Sequence, residues 1–452
     1  MFRRIYDVQI LCVKFNYMKK LSTILVLISL LTISRIIIYN YLGITLSQPS
    51  YGYHLLEISL LKDDLFSSLI YLHSQPFLWN LFNGILVKIF SADIDKISIF
   101  YNLYHYILTL LVIYYSIKIA GEFNLTYRSK LLLVFFVGLN PTVIFFENIF
   151  SYAHTTLFFF TLITYSIIKF FKSNNPKYEI YVYLNILILS MIWVLFQPIL
   201  LITIFVIMRF FKKIPKKNFF IFLLIFIVSL TPMIKNKIIF DTYATSTKGG
   251  QDFGTVFYDW QKYCGHPIKD KDFFTEKYFN KYQRYFDHPS LVGDKAQFNN
   301  LGIIILGKEC FKKTLSRIKK EPLLYIDGRI RAFLASHGKF GFDYVYPNPI
   351  GWKKYYQNVN KYYENDKIKL LRQIIVFTLK MTIYFIIIRF LLKTKNKSLR
   401  NGLLVSAFLY IYLLSVATLA AGTEQERVLY TGFIVNIIFL IIVLKKKIIN
   451  YD

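Results

Sequence analysis

Acidic residues are scarce: 26 Asp and Glu stand against 55 Lys and Arg over 452 residues, a formal charge of +29. In a soluble chain that excess would suggest nucleic acid. Here the cations flank apolar blocks and form no single patch, which reads as cytoplasmic anchoring and contact with anionic lipid headgroups, with no nucleic-acid partner. Cysteine is scarce as well. Cys12, Cys264 and Cys310 match no zinc or redox spacing, and no ligand cluster implies a metal, so a divalent ion has no support. Cys264 and Cys310 share one long polar segment; two unpaired thiols is the reading adopted, with a disulfide as the alternative. The chain also lacks a P-loop, a dinucleotide fingerprint, HExxH and GxSxG, which argues against a nucleotide-dependent enzyme or pump. It has no internal repeat, heptad or low-complexity segment of the kind expected in a solenoid or a transporter with duplicated halves.

What the chain has is apolar length. Hydrophobic residues make up 55% of it and mean hydropathy is +0.43, too apolar for a soluble protein of this size to bury. Blocks of about 20 apolar residues match the thickness of a bilayer core. The expected fold is therefore an all-α polytopic membrane protein. A first span over about 21–43 follows Arg3, Arg4, Lys14, Lys19 and Lys20, which puts the N-terminus in the cytoplasm. That block is long and no small-residue cleavage site follows it, so it reads as a span and not as a cleaved signal.

An outer loop over 44–75 comes next, then apolar blocks at about 76–91, 98–119, 130–147, 152–171, 180–196, 198–212 and 219–240. The basic run FKKIPKKN must face the cytoplasm, so the block ending at Phe240 leads outward. Eight blocks from a cytoplasmic start would return the chain inside. One must therefore be re-entrant, the short block after Gln75, or two must fuse at Gln197-Pro198. Residues 241–369 are too long for an ordinary connection and read as a small, mainly helical outer domain with the amphipathic segment GKECFKKTLSRIKKEPLLYIDGRIRAFL. Spans at about 370–392, 402–420 and 428–444 close the chain. The domains are thus 1–240, a transmembrane catalytic module; 241–369, the outer loop domain; and 370–452, the last spans.

Polar residues gather at a few places between these blocks. If 54–72 form one helix, Ile58, Leu61, Leu65, Leu69 and Leu72 make an apolar stripe beside a polar face of Glu57, Asp64 and Ser68. Such a helix would lie along the membrane and aim its acids at a headgroup-level cavity, or leave them solvated. His73 and Gln75, at the mouth of the next block, could hold a sugar or phosphate, or cap a helix. Glu147, with Asn148, Tyr152 and His154 nearby, is an ionisable group between apolar blocks and so either functional or the tip of a short outer hairpin. Glu424, Glu426 and Arg427 form an acid–base knot, Arg being suited to gripping phosphate, unless that turn is merely solvated. Lys235 and Lys237 could be snorkelling anchors or phosphate contacts.

In LHSQPFLWNLFNGILVKIF, the NP–FEN block, TPMIKNKIIFDTYATSTKGG, EPLLYIDGRIRAFL and TEQERVLY the chain resembles the GT-C superfamily of polyprenyl-phosphate-sugar glycosyltransferases, on the branch of protein mannosyltransferases and aminoarabinose transferases. The apolar blocks give roughly 10–11 transmembrane helices, and the resemblance implies that they form a GT-C-like transmembrane catalytic module with a cavity open to the outside. It implies transfer of a sugar from a polyprenyl-phosphate donor to a glycan, lipid or protein acceptor, with inversion. An acid of the first outer loop would be the base, and Arg427 or Lys235 would stabilise the departing phosphate. That branch often opens the loop with an Asp-Glu pair, where this chain reads QPSYGYH, and its double proline is here Pro76-Phe77. The base is therefore Glu57 first, with Asp64 and Asp63 as competitors. His73, Gln75, Glu147, Tyr152, Lys235, Glu426 and Arg427 are the expected donor-binding residues. The Lys-, Ile-, Asn- and Tyr-heavy composition suits an AT-rich bacterial genome, hence a bacterial cytoplasmic membrane, an outward-facing site and undecaprenyl phosphate as carrier. A polysaccharide or lipid-linked oligosaccharide transporter or flippase is the competing function; it would need charges along a central pathway.

Overall fold

The computed structural model describes residues 26, 28–37, 54–173, 175–212, 215–257, 262, 264, 280–337, 366–419 and 430–449. Among the described residues every regular element is a helix. The first half holds α1 (Ile28–Ile37), α2 (Ile58–Asp63), α3 (Leu65–Ile70), α4 (Leu78–Ile89), α5 (Ile94–Glu122), α6 (Tyr127–Gly138), α7 (Pro141–Glu147), α8 (Ala153–Ser173), α9 (Lys177–Ile192), α10 (Pro198–Phe211), α11 (Lys216–Ser229) and α12 (Thr231–Phe240). Then come α13 (Gly249–Gly254), α14 (Gly302–Lys320), α15 (Pro322–His337), α16 (Asp366–Lys393), α17 (Lys397–Leu419) and α18 (Ile434–Ile449).

Five stretches are long and apolar enough to cross a membrane: Ile94–Glu122, Ala153–Ser173, Lys216–Phe240, Ile374–Lys393 and Lys397–Val416. The pair α6 and α7, bent by 50° at the Asn140-Pro141 break, makes a sixth if taken as one span. The chain is an all-α membrane protein. Fewer helices pass than the ten or eleven expected: α4 and α10 are only 12 and 14 residues long, below the roughly 20 that a bilayer core needs, and α1 and α18 border residues outside the described set. The stretch Ile374–Lys393 has only 17% of its apolar window buried inside the protein. Its remaining apolar surface needs lipid.

The helices run back and forth between two ends. At one end lie Arg128 and Lys130, Lys172 and Lys177, Lys212, Lys216 and Lys217, and Lys393, Lys395 and Lys397. Glu122 at the foot of α5 pairs there with Lys169 and Lys172 of α8. The other end, called here the far end, carries the loops with the acids and histidines.

The structure settles which block fails to traverse. Trp79 at the start of α4 packs against Tyr101, and Phe90 just past its end against Phe100, so both ends of α4 meet the first two turns of α5. Lys88 also returns to the carbonyl of Lys62, at 3.1 Å. This helix therefore lies across the far end of the bundle. By contrast, Gln197-Pro198 joins two antiparallel helices and not two halves of one. Asn218 at the start of α11 bonds Glu179 at the start of α9, and Phe211 at the end of α10 packs on Phe171 at the end of α8.

Residues 54–72 do not form one helix. The run breaks at Asp64 (φ −138°, ψ 52°), which ends α2 and precedes α3. Asp competes for backbone hydrogen bonds and favours helix ends over interiors. The apolar stripe is present: Leu61, Leu65, Leu69 and Leu72 are buried in the main core, so these helices face the bundle. The amphipathic segment after Gly302 likewise breaks, at Glu321, with Pro322 opening α15 where its missing N–H costs nothing.

In the far-end domain α13 lies on α14 at backbone distance. A Cβ on Gly250 would sit 1.9 Å from the Gly307 carbonyl, and one on Gly254 would sit 2.2 Å from the Cys310 sulfur. That close approach brings Cys264 to Cys310, with Cα atoms 4.7 Å apart and the sulfurs joined. The expectation of two free thiols is corrected: tight helix packing at Gly254, not visible in cysteine spacing, aligns the pair. Closing a loop of this length is worth about 4 kcal/mol in the chain-entropy account. In denatured protein, maleimide-polyethylene glycol is expected to add one tag without reductant and three after reduction, and Cys310→Ser to expose Cys264. Three tags without reductant would refute the bond.

Candidate active site

The far end is organised by the turn Tyr71–Phe77, between α3 and α4. His73 is buried in it. Its Nε2 lies 2.9 Å from the Asn299 carbonyl, which can only accept, so Nε2 carries the proton and Nδ1 accepts from the Thr247 hydroxyl at 2.6 Å. Asn299 also binds the turn through its side chain: Oδ1 accepts from the His73 amide at 2.9 Å, and Nδ2 donates to the Tyr71 and Ser290 carbonyls. Thr247 returns its own amide to the His73 carbonyl at 3.0 Å, and Ser246 donates to the Ser74 carbonyl. From α12, Lys235 donates to the Leu72 carbonyl and Asn236 to that of His73. Phe240 seals the imidazole face, with ring centroids 4.9 Å apart.

This turn thus joins three parts of the chain distant in sequence. Both nitrogens of His73 are engaged by protein, so its visible role is to hold the loops together. Gln75 is buried too and donates to the His54 carbonyl. Asn80 at the head of α4 binds that carbonyl at 3.1 Å and the Leu56 amide at 2.7 Å. The segment His54–Glu57 is thereby pinned across the far end, and the positive φ of His54 (61°) fits its turn there.

The three acids then differ in setting. Glu57, half-buried, caps α2: its Oε2 accepts from the Ser59 amide at 2.9 Å and from the Ser59 hydroxyl. Asp63 is exposed. Asp64, half-exposed, lies 3.7 Å from Nε2 of His288 in the far-end domain, a nitrogen that also meets the Ser67 hydroxyl at 2.6 Å. Burial lowers the His288 pKa and the Asp64 carboxylate opposes that shift. The expected shared face of Glu57, Asp64 and Ser68 is split, because the break at Asp64 turns Ser68 into the core.

Tyr152 is buried among aromatic rings, 5.7 Å from Trp79, 5.1 Å from Trp193 and 6.2 Å from His54. It forms the floor under the pinned segment. Glu426 and Arg427 lie outside the described residues. Among the described residues no group of three His, Cys, Asp or Glu side chains could hold a metal.

Glu147 is fully buried and is no hairpin tip in water. Arg35 of α1 grips it with two bonds, Nε–Oε1 at 3.1 Å and Nη2–Oε2 at 2.9 Å, and Arg35 also donates to the Gly138 carbonyl. The Thr109 hydroxyl donates to Oε2 at 2.8 Å, so His154 Nε2, 3.0 Å from that hydroxyl, must donate to it. His154 Nδ1 then accepts from the Tyr430 hydroxyl at 2.7 Å. A one-way chain of donated hydrogen bonds therefore runs Tyr430, His154, Thr109, Glu147. His105 steadies it by donating Nδ1–H to the Glu147 carbonyl at 2.9 Å.

Arg35, His105, Thr109 and Tyr430 escaped sequence reasoning because each is a single polar residue in an apolar block. The one available signal was that Arg35 and Glu147 are opposite charges, each placed where a charge is costly. No protein-family model, curated protein or solved structure matches this chain.

Two outcomes follow. Arg35→Met strands a buried carboxylate and is expected to cost about 3–5 kcal/mol, with Arg35→Met/Glu147→Gln recovering much of it; thermal unfolding in detergent measures both, and a neutral single variant would refute the buried pair. For His73, burial and then the Lys235 charge bring the pKa down to about 3. The unfolded chain takes up a proton near pH 6.5 that the folded one refuses, so this contribution is full above 6.5 and is lost as pH falls toward 3. Melting temperature should fall between pH 7 and 5 in the wild type and fall less steeply in His73→Gln; equal slopes would contradict it.

Proposed function

We propose that the chain is a GT-C type glycosyltransferase that moves a sugar from a polyprenyl-phosphate donor to an acceptor at the outer face of the membrane. The single observation that carries this reading is the convergence of the first loop, the end of α12 and the far-end domain on the His73 turn. A transferase whose lipid donor lies in the bilayer and whose acceptor comes from water needs its base and its cation on separate loops held over one membrane face. The disulfide, which suits an oxidising compartment, and the cationic loops at the opposite end support an outward orientation.

In the reaction the acceptor hydroxyl gives its proton to a carboxylate as its oxygen bonds the anomeric carbon. The bond from that carbon to phosphate oxygen breaks, and the polyprenyl phosphate leaves with the electron pair. Glu57 is the favoured base. Both of its capping bonds fall on Oε2, so Oε1 is the oxygen that would receive the proton, and Asn80 and Gln75 hold the backbone just before it. Asp64 is the competitor, with His288 to polarise it. Lys235, which reaches the turn from α12, would answer phosphate charge, and Arg427 keeps the role that the resemblance implies. A bacterial cytoplasmic membrane with undecaprenyl phosphate as carrier completes the proposal.

One observation favours the competing transporter or flippase: the Arg35–Glu147 pair at membrane depth. Transport that persists in Glu57→Gln/Asp64→Asn and stops in Glu147→Gln would select it. For the transferase, membranes carrying the protein are given radiolabelled polyprenyl-phosphate sugars. Glu57→Gln is expected to cut donor consumption by about 100-fold or more, and Asp64→Asn by much less. Wild-type membranes that consume no donor while a control transferase works would overturn the reading.

A further inference from the structure

Just past the end of α12 stands a second polar feature that the transferase reading does not use. Asp241 ends the helix in the left-handed conformation (φ 52°), with its amide bonded to the Lys237 carbonyl at 3.0 Å. Three ammonium groups from three elements meet on this residue. Lys237 of α12 pairs with Oδ1, Lys281 with Oδ2 at 2.7 Å, and Lys308 of α14 donates to the Asp241 carbonyl at 3.3 Å. Lys312 is close by but is answered by Glu309, at 3.5 Å.

The charges do not balance: three cations face one carboxylate, a local excess of two. The C-terminal dipole of α12 offsets at most about half a charge. Burial and then the Lys281 charge lower the Lys308 pKa, as expected where ammonium groups are crowded. The groups are not sealed off, since the Lys237, Lys281 and Asp241 side chains are 37%, 42% and 53% exposed. Exposed Ile238 and Tyr243 flank them, and Lys237 lies 4.6 Å from the Tyr243 ring centroid. An open cluster of excess charge +2 beside exposed apolar side chains, where a span leaves the bilayer, suits a compact multivalent anion whose oxygens take several N–H donors at once.

We propose that Lys237, Lys281 and Lys308 form a phosphate-binding site at the far end of α12, distinct from the His73 turn. The phosphate comes either from a lipid headgroup or from free inorganic phosphate. The site stands independently of glycosyl transfer, since it requires phosphate binding and no reaction.

The test uses the full chain in a phosphate-free maltoside detergent, with thermal shift read against inorganic phosphate and, separately, a short-chain phosphatidylglycerol, each at matched ionic strength. Lys281→Gln/Lys308→Gln is expected to weaken binding about tenfold or more. Asp241→Asn keeps a residue that tolerates the left-handed conformation, removes the competing carboxylate and is expected to tighten binding. The opposite signs keep the test decisive even if the double variant folds poorly. A response to phosphatidylglycerol alone identifies a lipid headgroup and a response to inorganic phosphate identifies the free ion; either supports the site. No response to either ligand, or affinities unmoved by Asp241→Asn, would overturn it.

Discussion

Neutral His73, fixed as one tautomer by an obligate acceptor on one side and a hydroxyl donor on the other, is the constraint on which the far end depends. A buried imidazole is tolerable only with both nitrogens satisfied. The partners come from residues 247 and 299, so satisfying it forces a distant part of the chain onto the first loop. The rest follows from that closure: Asn236 and Lys235 reach the same turn, Phe240 covers the ring, Gly307 of α14 packs on Thr247, and Gly250 of α13 packs on Gly307.

Beneath this lock the Arg35–Glu147 pair does for the membrane bundle what His73 does for the loops. It ties α1 to α7, and through Thr109, His154 and Tyr430 it reaches α5, α8 and the residue before Thr431, whose hydroxyl meets that of Thr156 at 2.8 Å. Such a network is strong when complete and costly when one member is lost. Tyr152 packs against Trp79, Trp193 and His54 of the pinned segment, and Trp79 meets Tyr101, which neighbours His105 of the buried network.

The helical membrane class was legible because apolar block length alone determines it. The non-traversing block was narrowed to two candidates, and only the packing of Trp79 and Phe90 on α5 chose between them. Other features were invisible for physical reasons. A helix stripe can be counted from sequence, but the break at Asp64 depends on where each half finds its core. Isolated Arg35, His105 and Thr109 carry no local pattern, since their partners lie tens of residues away. The cysteine pair depends on a glycine contact between α13 and α14, which spacing does not encode. The residue types of His73 and Gln75 fit binding and bracing equally, and only their hydrogen-bond partners, all from protein, show the bracing.

The proposed function requires the braced first loop to hold its carboxylate over the reacting carbon of a lipid-linked sugar. A structure of the Glu57→Gln variant with a polyprenyl-phosphate sugar bound tests it most directly. The sugar is expected at the far end, its anomeric carbon about 3–4 Å from an acceptor oxygen that contacts residue 57, and its phosphate toward Lys235. A sugar bound beside Glu147 and His154 in the interior of the bundle, away from the first loop, would contradict it.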